Sequence, residues 1–220
     1  MLAQIEHLST EDLVYFDDEL NRTIGEANGD FMHLDYKGPT LTAIEIARAQ
    51  GHVSILDGGC GSARELIDLK DQIIVRAPIS ANSVDAVGVS LTDFSHRFTG
   101  GWREAAHLTD GYISLFIGNL ATLPLEPDHF DVAYSYQVLL HNKEPIPIIE
   151  NVLPSLSTSG IYYFDALVDQ QDDITAYTDS LDPSKWQAQS IPLTVEFIGG
   201  KDTRMMNRII RAPFPLANIL

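Results

Sequence analysis

The stretch from Val53 to Ala63 reads VSILDGGCGSA and passes from apolar through acidic to glycine-rich residues. Its first four residues are suited to a short buried strand, which Asp57 ends. The three glycines that follow allow the backbone to turn sharply, because no Cβ restricts their conformation or keeps a ligand away. From Ala63 onward, apolar residues recur at helical spacing. The stretch therefore predicts a strand, a glycine loop and a helix N-terminus, whose amides would point at a nucleotide-like ligand.

Composition restricts the class of protein and the class of partner. The 220 residues fit one domain, and a hydrophobic content of 45% is enough for a core. The net charge of -17 argues against nucleic acid and against an anionic membrane surface, because both require a basic protein surface. The single cysteine, Cys60, excludes an internal disulfide. With no signal-peptide pattern and no apolar run of about 20 residues, we expect a soluble cytoplasmic protein without a transmembrane helix.

The remainder of the chain alternates between strand-like and helix-like patterns. Further strands are predicted at Val84–Val89, Tyr112–Ile117, Phe130–Tyr136, Ile161–Ala166, Leu193–Ile198 and Met205–Arg211. Helical segments are predicted from Ser9 to about Thr23, at Leu41–Gln50 after a Gly38–Thr40 cap, at Pro145–Leu156 and in part of Asp172–Gln189, with an irregular link at Ile73–Asn82. Strands that alternate with helices imply a mainly parallel sheet with helices on both faces.

We therefore predict an α/β fold, a Rossmann-like, doubly wound, mainly parallel seven-stranded sheet with helices on both faces. The closing pair of strands would form an antiparallel edge. Residues 1–220 would form a single domain, in which residues 1–50 are an N-terminal helical cap and residues 51–220 are the core. In such sheets, ligands bind at the carboxyl ends of the strands.

The glycine loop does not match two common nucleotide-binding patterns. A dinucleotide fingerprint needs G-x-G-x-x-G, but counting from Gly59 and Gly61 the last position is Arg64. A P-loop needs Gly-Lys-Ser/Thr, which is absent here. What remains is the pattern Asp-x-Gly-x-Gly, which runs from Asp57 to Gly61.

This pattern resembles the first motif of the class I S-adenosylmethionine-dependent methyltransferases, with Ala63 where that family usually has a third glycine. Five later segments resemble further motifs of the family and follow in the family's order: Gly88–Thr92 (GVSLT), Gly118–Leu125 (GNLATLPL), Phe130–Ser135 (FDVAYS), Val138–His141 (VLLH) and Leu156–Gly160 (LSTSG), the last standing before the predicted fifth strand. The resemblance covers roughly residues 50 to 166. It implies S-adenosylmethionine as cofactor and S-adenosylhomocysteine as product.

The resemblance also implies roles for individual residues. Asp57 would hold the glycine loop and help to place the amino group of the cofactor, and the loop would approach its methionine part. Ser90 stands where an acidic residue usually binds the ribose hydroxyls, and Asn119 stands where an aspartate usually accepts from the adenine amino group. The cofactor-binding residues implied in this way are Asp57, Gly58, Gly59, Cys60, Gly61, Ser90, Asn119, Leu120, Ser135 and Tyr136.

Methyl transfer from a sulfonium needs mainly alignment of the acceptor, and a base is useful only if the acceptor arrives protonated. By the same resemblance, Ser135 and Tyr136 would border the transfer point, and the backbone amide of Leu120 would meet the adenine ring. His141, just after the fourth strand, is the candidate catalytic base; the alternative is that it packs at the start of a helix. Tyr15, Tyr36 and Trp102 could line the acceptor pocket, although such side chains more often pack in the core or the cap.

We predict no metal site. Asp165 alone is a poor match to the acidic ligands of magnesium-dependent relatives. Six histidines take no close metal-ligand spacing along the chain: His33, His52, His96, His107, His129 and His141.

The leading hypothesis is a methyltransferase that acts on a small-molecule acceptor by direct in-line transfer. The acidic surface favours a neutral or cationic acceptor, and the chain could form a homodimer. The alternative is a catalytically weak or inactive binding or regulatory protein on the same fold, which the departures at Ala63, Ser90 and Asn119 motivate. A nicotinamide-dependent enzyme is the third hypothesis, against which Arg64 argues.

Overall fold

The computed structural model describes residues 37–61, 63–91, 111–136, 138–197 and 200–212. The predictions that lie outside the described residues concern the first helix, Tyr15, Tyr36, Trp102, His33, His96 and His107, and they stay predictions. The division into a cap and a core also stays a prediction.

The described residues form helices and strands in alternation. The helices are α1 (Lys37–Gln50), α2 (Arg64–Arg76), α3 (Ile146–Val152) and α4 (Gln171–Ser180). The strands are β1 (Val53–Gly58), β2 (Val84–Ser90), β3 (Ser114–Ile117), β4 (Phe130–Ser135), β5 (Leu156–Leu167), β6 (Trp186–Phe197) and β7 (Gly200–Arg211). Short 3₁₀ turns lie at Ala81–Ser83, Leu139–His141, Leu153–Ser155 and Val168–Gln170. In the part of the chain that the structure describes, no helix has the length and apolar character needed to cross a membrane.

The strands form one seven-stranded sheet in the order β3-β2-β1-β4-β5-β7-β6. The strands from β3 to β5 are parallel, whereas β7 runs antiparallel to both β5 and β6. The predicted mainly parallel sheet with an antiparallel edge is therefore confirmed. The chain moves outward from β1 through β2 to β3 and then returns to place β4 on the other side of β1. In sheets of this kind, the reversal creates a ligand-binding crevice at the carboxyl ends of the central strands.

Two hydrophobic layers cover the two faces of the sheet, as predicted. Ile55 and Val132 lie in the layer that contains the buried residues of α1 and α2. Their neighbours Leu56 and Ala133 lie in the layer that contains the buried residues of α3 and α4, because successive side chains of a strand point to opposite faces. All six residues of β1 are buried, which is typical of a central strand that helices cover on both sides.

The helix boundaries differ from the sequence prediction. α1 begins at Lys37, so the predicted cap Gly38–Thr40 lies in its first turn. Proline is tolerated in a first turn, where the backbone N–H groups have no partner within the helix. α2 continues through Ile73 to Arg76, because Ile73 is fully buried and packs this last turn against the core. α3 ends at Val152, since the chain then turns into β5.

The strands of the antiparallel edge are longer than the sequence predicts. β5 begins at Leu156 and not at Ile161. β6 begins at Trp186, although the sequence predicts partly helical structure as far as Gln189. The reason is that β6 pairs with β7 along its whole length, and such long-range pairing overrides a weak local pattern. Pro192 is compatible with β6 because this strand forms the outer edge of the sheet. β7 likewise begins earlier, at Gly200 and not at Met205, and smaller shifts affect the ends of β2, β3 and β4.

A buried lysine connects α2 with the amino ends of two neighbouring strands. The ammonium group of Lys70 donates to the backbone carbonyl of Val84 at 2.7 Å and to that of Tyr112 at 2.6 Å. Burial lowers the pKa of Lys70, while the carboxylates of Asp85 and Asp71 act in the opposite direction. The side chain thus supplies the hydrogen bonds that hold this helix to β2 and to the residues before β3.

We expect Lys70→Met to lower the free energy of unfolding by about 2 kcal/mol or more, because two carbonyls lose their donor while the apolar stem is kept. Urea unfolding of the variant measures this. Lys143→Met, at an exposed position, is the matched control and should change stability by less than about 0.5 kcal/mol. Equal stability of the two variants would show that the Lys70 contacts do not hold the helix.

Candidate functional site

The candidate site lies where β1, β2 and β4 end. The register places Gly58 beside Val89, and it pairs Asp57 with both Gly88 and Tyr134. The segments after these three strands therefore meet at one edge of the sheet. This is the edge at which the chain reverses direction, and it carries most of the predicted cofactor-binding residues.

The glycine loop after β1 is fastened to β2. The backbone amides of Gly59 and Cys60 both donate to the carbonyl of Val89, at 2.8 and 2.9 Å. This corrects the expectation that the loop amides point at a ligand, because these two amides bind within the protein. A Cβ on Gly59 would come within 2.1 Å of Cγ2 of Val138, and its φ is +104°. Gly59 is therefore required both by backbone conformation and by the close approach of the turn that follows β4.

Ala63 adopts the left-handed conformation that a glycine would take without strain. Its φ is 59° and its ψ is 18°, which costs an L-residue about 1–2 kcal/mol. The Ala63 amide donates to the carbonyl of Cys60 at 2.6 Å, and the Ala63 carbonyl accepts from the amide of Ile67 at 3.1 Å. The methyl group is fully buried in the core. The loop thus keeps a tight entry into α2 although alanine stands where the motif it resembles usually has a third glycine.

Asp57 is a buried acid at the base of the loop, 5% exposed. The hydroxyl of Tyr134 donates to its carboxylate at 3.0 Å. Burial, and to a smaller extent the nearby Glu65, raises the pKa of Asp57 well above its usual value, while the hydrogen bond from Tyr134 lowers it. Burial and Asp57 also raise the pKa of Tyr134, so that it stays a donor. A carboxylate in this setting is best stabilised by a cation.

Ser135 ends β4 and is fully buried. A Cβ on Gly58 would come within 2.5 Å of Cδ2 of Leu120 and 2.6 Å of Oγ of Ser135, so these two side chains close over the end of β1. Burial raises the pKa of Tyr162, and a side-chain hydrogen bond with Ser135 lowers it. The buried hydroxyl of Ser135 therefore lies both beside Tyr162 and beside the end of β1.

The segment after β3 is held by side-chain and backbone bonds. The carbonyl of Ser90 accepts from the amide of Gly118 at 2.9 Å. The Oδ1 atom of Asn119 accepts from the amide of Ala121 at 2.9 Å. A carboxamide oxygen has two lone pairs, so Asn119 can hold this turn and still accept from an adenine amino group. Leu120 is 5% exposed, and its side chain packs in the core that α3 covers.

The turn after β4 carries Tyr136 and the candidate base. The rings of Tyr136 and Tyr134 lie 5.8 Å apart. His141 is the last residue of the 3₁₀ turn that begins at Leu139, and its amide donates to the carbonyl of Val138 at 3.2 Å. The side chain of His141 is half-buried. The structure thus brings His141 to the segment directly after β4, while its role as a base stays a prediction.

Sequence reasoning missed three residues of this site. Tyr134 could have been found, because it lies within the predicted strand β4 between Ala133 and Ser135, and all three residues are buried. Val138 lies in the VLLH segment that the resemblance includes, but its contact with Gly59 was not predicted, and Gln170 gave no signal, since the partners of both residues lie far away in the sequence. The contacts that define them, from Val138 to Gly59 and from Gln170 to backbone carbonyls after β4, arise only in the fold.

Asp165 is held by an arginine. The Nη1 atom of Arg204 lies 3.1 Å from Oδ2 of Asp165, and both side chains are buried. Among the residues that the structure describes, no three acidic, histidine or cysteine side chains lie together in a way that could hold a metal ion.

Comparison with known proteins relates the chain to others by fold and not by sequence. No protein-family model and no curated protein matches the sequence. The structure is similar to the plantazolicin methyltransferase BpumL in complex with S-adenosylhomocysteine, at 15% identity and a TM-score of 0.55 over 90% of this chain and 93% of that chain. It is similar to the [4+2]-cyclase SpnF, at 14% identity and a TM-score of 0.57 over 97% and 98% of the two chains.

It is also similar to an rRNA methylase from Streptococcus thermophilus, at 12% identity and a TM-score of 0.53 over 81% of this chain and 99% of that chain. At such identities the similarity shows the fold alone. The fold is the one that the sequence resemblance implies, a Rossmann-like, mainly parallel sheet.

The raised pKa of Asp57 should make the free energy of unfolding decrease as the pH rises. Because its pKa in the folded state is raised, its stabilising contribution is complete below the ordinary pKa and is lost as the pH rises through the folded-state pKa. Asp57→Asn removes this loss. Relative to the wild type, the variant should gain unfolding free energy as the pH increases above about 4, the ordinary pKa of an aspartate. Urea unfolding at several pH values measures the difference.

The control for this experiment is Asp172→Asn, at an exposed position of α4. Its difference from the wild type should stay constant over the same pH range. A constant difference for Asp57→Asn as well would contradict the raised pKa.

Ala63 offers a test of the loop conformation. Ala63→Val places a branched side chain at positive φ in a fully buried position, and we expect a loss of about 2 kcal/mol or more. Ala63→Gly relieves the strain but removes a buried methyl worth about 0.8 kcal/mol and adds freedom to the unfolded chain. Its stability should therefore stay within about 1 kcal/mol of the wild type. If chemical unfolding showed equal losses for both variants, the left-handed conformation would be wrong.

Proposed function

We propose that this protein is an S-adenosylmethionine-dependent methyltransferase that acts on a small-molecule acceptor by direct in-line transfer. The observation that carries the proposal is the glycine loop after β1. It stands at the sheet edge where the chain reverses direction between β3 and β4, and it follows directly after the buried Asp57. The fold adds support, because the similar protein BpumL was crystallised with S-adenosylhomocysteine.

The residues of this chain divide the binding of the cofactor among them. Asp57 would attract the cationic part of the cofactor, because a positive charge stabilises a buried carboxylate. Ser90 would donate to or accept from a ribose hydroxyl, and Asn119 would accept from the adenine amino group through Oδ1. Ser135 would offer its buried hydroxyl. The loop from Gly58 to Gly61, which includes Cys60, would line the site next to the methionine part of the cofactor.

Methyl transfer further requires that the acceptor is aligned with the methyl group and that an acceptor which arrives protonated loses its proton. The bound cofactor supplies an activated methyl group on a sulfonium, so orientation provides most of the rate enhancement. Tyr136 would border the acceptor. An imidazole nitrogen of His141 would take the proton of an acceptor that arrives protonated.

A small neutral or cationic acceptor is the class that this chain favours. The net charge of -17 produces a negative field that attracts cations and repels phosphate backbones. The fold by itself does not decide this point, since an rRNA methylase has a similar structure. The charge does argue against RNA, because nucleic-acid binding depends on a basic surface.

A second candidate function is a binding protein without methyl transfer. Two observations favour it: Val138 packs against Gly59, and Asn119 bonds to its own turn, so parts of the site bind within the protein. The similar structure of a [4+2]-cyclase is consistent with a fold that serves other reactions.

Calorimetry with S-adenosylhomocysteine tests the proposal. We expect saturable binding with a dissociation constant between about 1 µM and 1 mM, the usual range for enzyme substrates. Asp57→Ala and Asn119→Ala should weaken binding, and Asp172→Ala, at an exposed position, should not. Folded protein that gives no heat at millimolar ligand would overturn the proposal. Binding without methyl transfer to any of a broad panel of small acceptors would favour the second candidate.

A further inference from the structure

The side chain of Gln170 connects the end of β5 with the turn that follows β4. Its Nε2 atom donates to the carbonyl of Leu139 at 3.2 Å and to that of Asn142 at 2.8 Å. Its Oε1 atom accepts from the amide of Leu167 at 3.1 Å. The two carbonyls stand at the start and just beyond the end of the 3₁₀ turn that carries His141. One carboxamide therefore fixes both ends of this turn.

The same turn is held against the glycine loop. The Nδ2 atom of Asn142 donates to the carbonyl of Val138 at 2.6 Å. Val138 then lies so close to Gly59 that a Cβ there would stand 2.1 Å from its Cγ2 atom. The loop in turn binds the carbonyl of Val89. Direct contacts thus run without a break from Gln170 to the loop that would hold the cofactor.

We propose that Gln170 is a positioning residue, which sets the turn after β4 against the glycine loop and thereby sets both the place of His141 and the affinity for the cofactor. Glutamine suits this task because a carboxamide offers donors and an acceptor on one short planar group. Because Val138 is in close contact with Gly59, a turn that shifts toward the loop displaces it, and a turn that shifts away removes the packing against it. The part of this inference that concerns affinity rests on the proposed function, whereas the placement of the turn does not.

Two variants separate this role from a purely local one. Gln170→Ala removes all three hydrogen bonds. Gln170→Glu keeps an acceptor for the amide of Leu167 but has no donor for the carbonyls of Leu139 and Asn142. The matched control is Gln171→Ala, because Gln171 bonds to Ser190 and Asn207 on the antiparallel edge and not to the turn.

The measurements are NMR spectra of His141 and Gly59, and calorimetry with S-adenosylhomocysteine, with a thermal melt to confirm that each variant folds. We expect both Gln170 variants to shift the resonances of His141 and Gly59 and to weaken binding roughly tenfold or more, because small displacements of a binding group have large effects. Gln171→Ala should leave the resonances in place and change the affinity by less than about twofold.

The outcomes distinguish this inference from the proposed function. If the wild type binds no S-adenosylhomocysteine, the proposed function fails, and the NMR spectra alone decide whether Gln170 places the turn. If the wild type binds and Gln170→Glu behaves like it, Gln170 acts only on the end of β5 and the inference is wrong. Equal effects of Gln171→Ala and Gln170→Ala would also overturn it, since both would then act through general stability.

Discussion

The carbonyl of Val89 is the point on which the geometry of the site depends. It accepts hydrogen bonds from two successive amides of the glycine loop, those of Gly59 and Cys60, and these bonds fasten the loop after β1 to the end of β2. The closed loop places Ala63 at the start of α2 and brings Gly59 under the turn that follows β4. Because two loop amides bind within the protein, the proposed binding of the cofactor would depend more on the side chains of Asp57, Ser90 and Asn119 than on the loop backbone.

The loop combines strain with burial. Ala63 holds a left-handed conformation that costs about 1–2 kcal/mol. Its buried methyl group gains roughly 0.8 kcal/mol from leaving water, and packing against the core fixes the strained form. The departure from glycine at this position therefore does not remove the loop geometry. It makes the geometry depend on the core of α1 and α2, into which the methyl group packs.

The sequence predicts the sheet well and the contacts between segments poorly. The apolar run of β1 and the order of the motifs predict the parallel strands, because each strand is marked by its own local pattern. The start of β6 at Trp186 is missed, since only pairing with β7 converts this segment into a strand. Gln170 is missed for the same reason: its partners are backbone carbonyls, which leave no trace in the identity of the residues that carry them. Asp57 could be predicted, whereas its bond from Tyr134 depends on the register of β1 against β4.

The two buried aspartates Asp165 and Asp57 differ in whether a positively charged side chain pairs with them. Asp165 is buried and pairs with Arg204, so its charge is compensated within the sheet. Asp57 is as deeply buried, but among the described residues its hydrogen-bond partner is the neutral hydroxyl of Tyr134, and the nearby Glu65 adds a second negative charge. A buried carboxylate without a cationic partner is costly. Among the described residues no basic side chain forms an ion pair with Asp57, and under the proposed function the positively charged cofactor would supply that compensation.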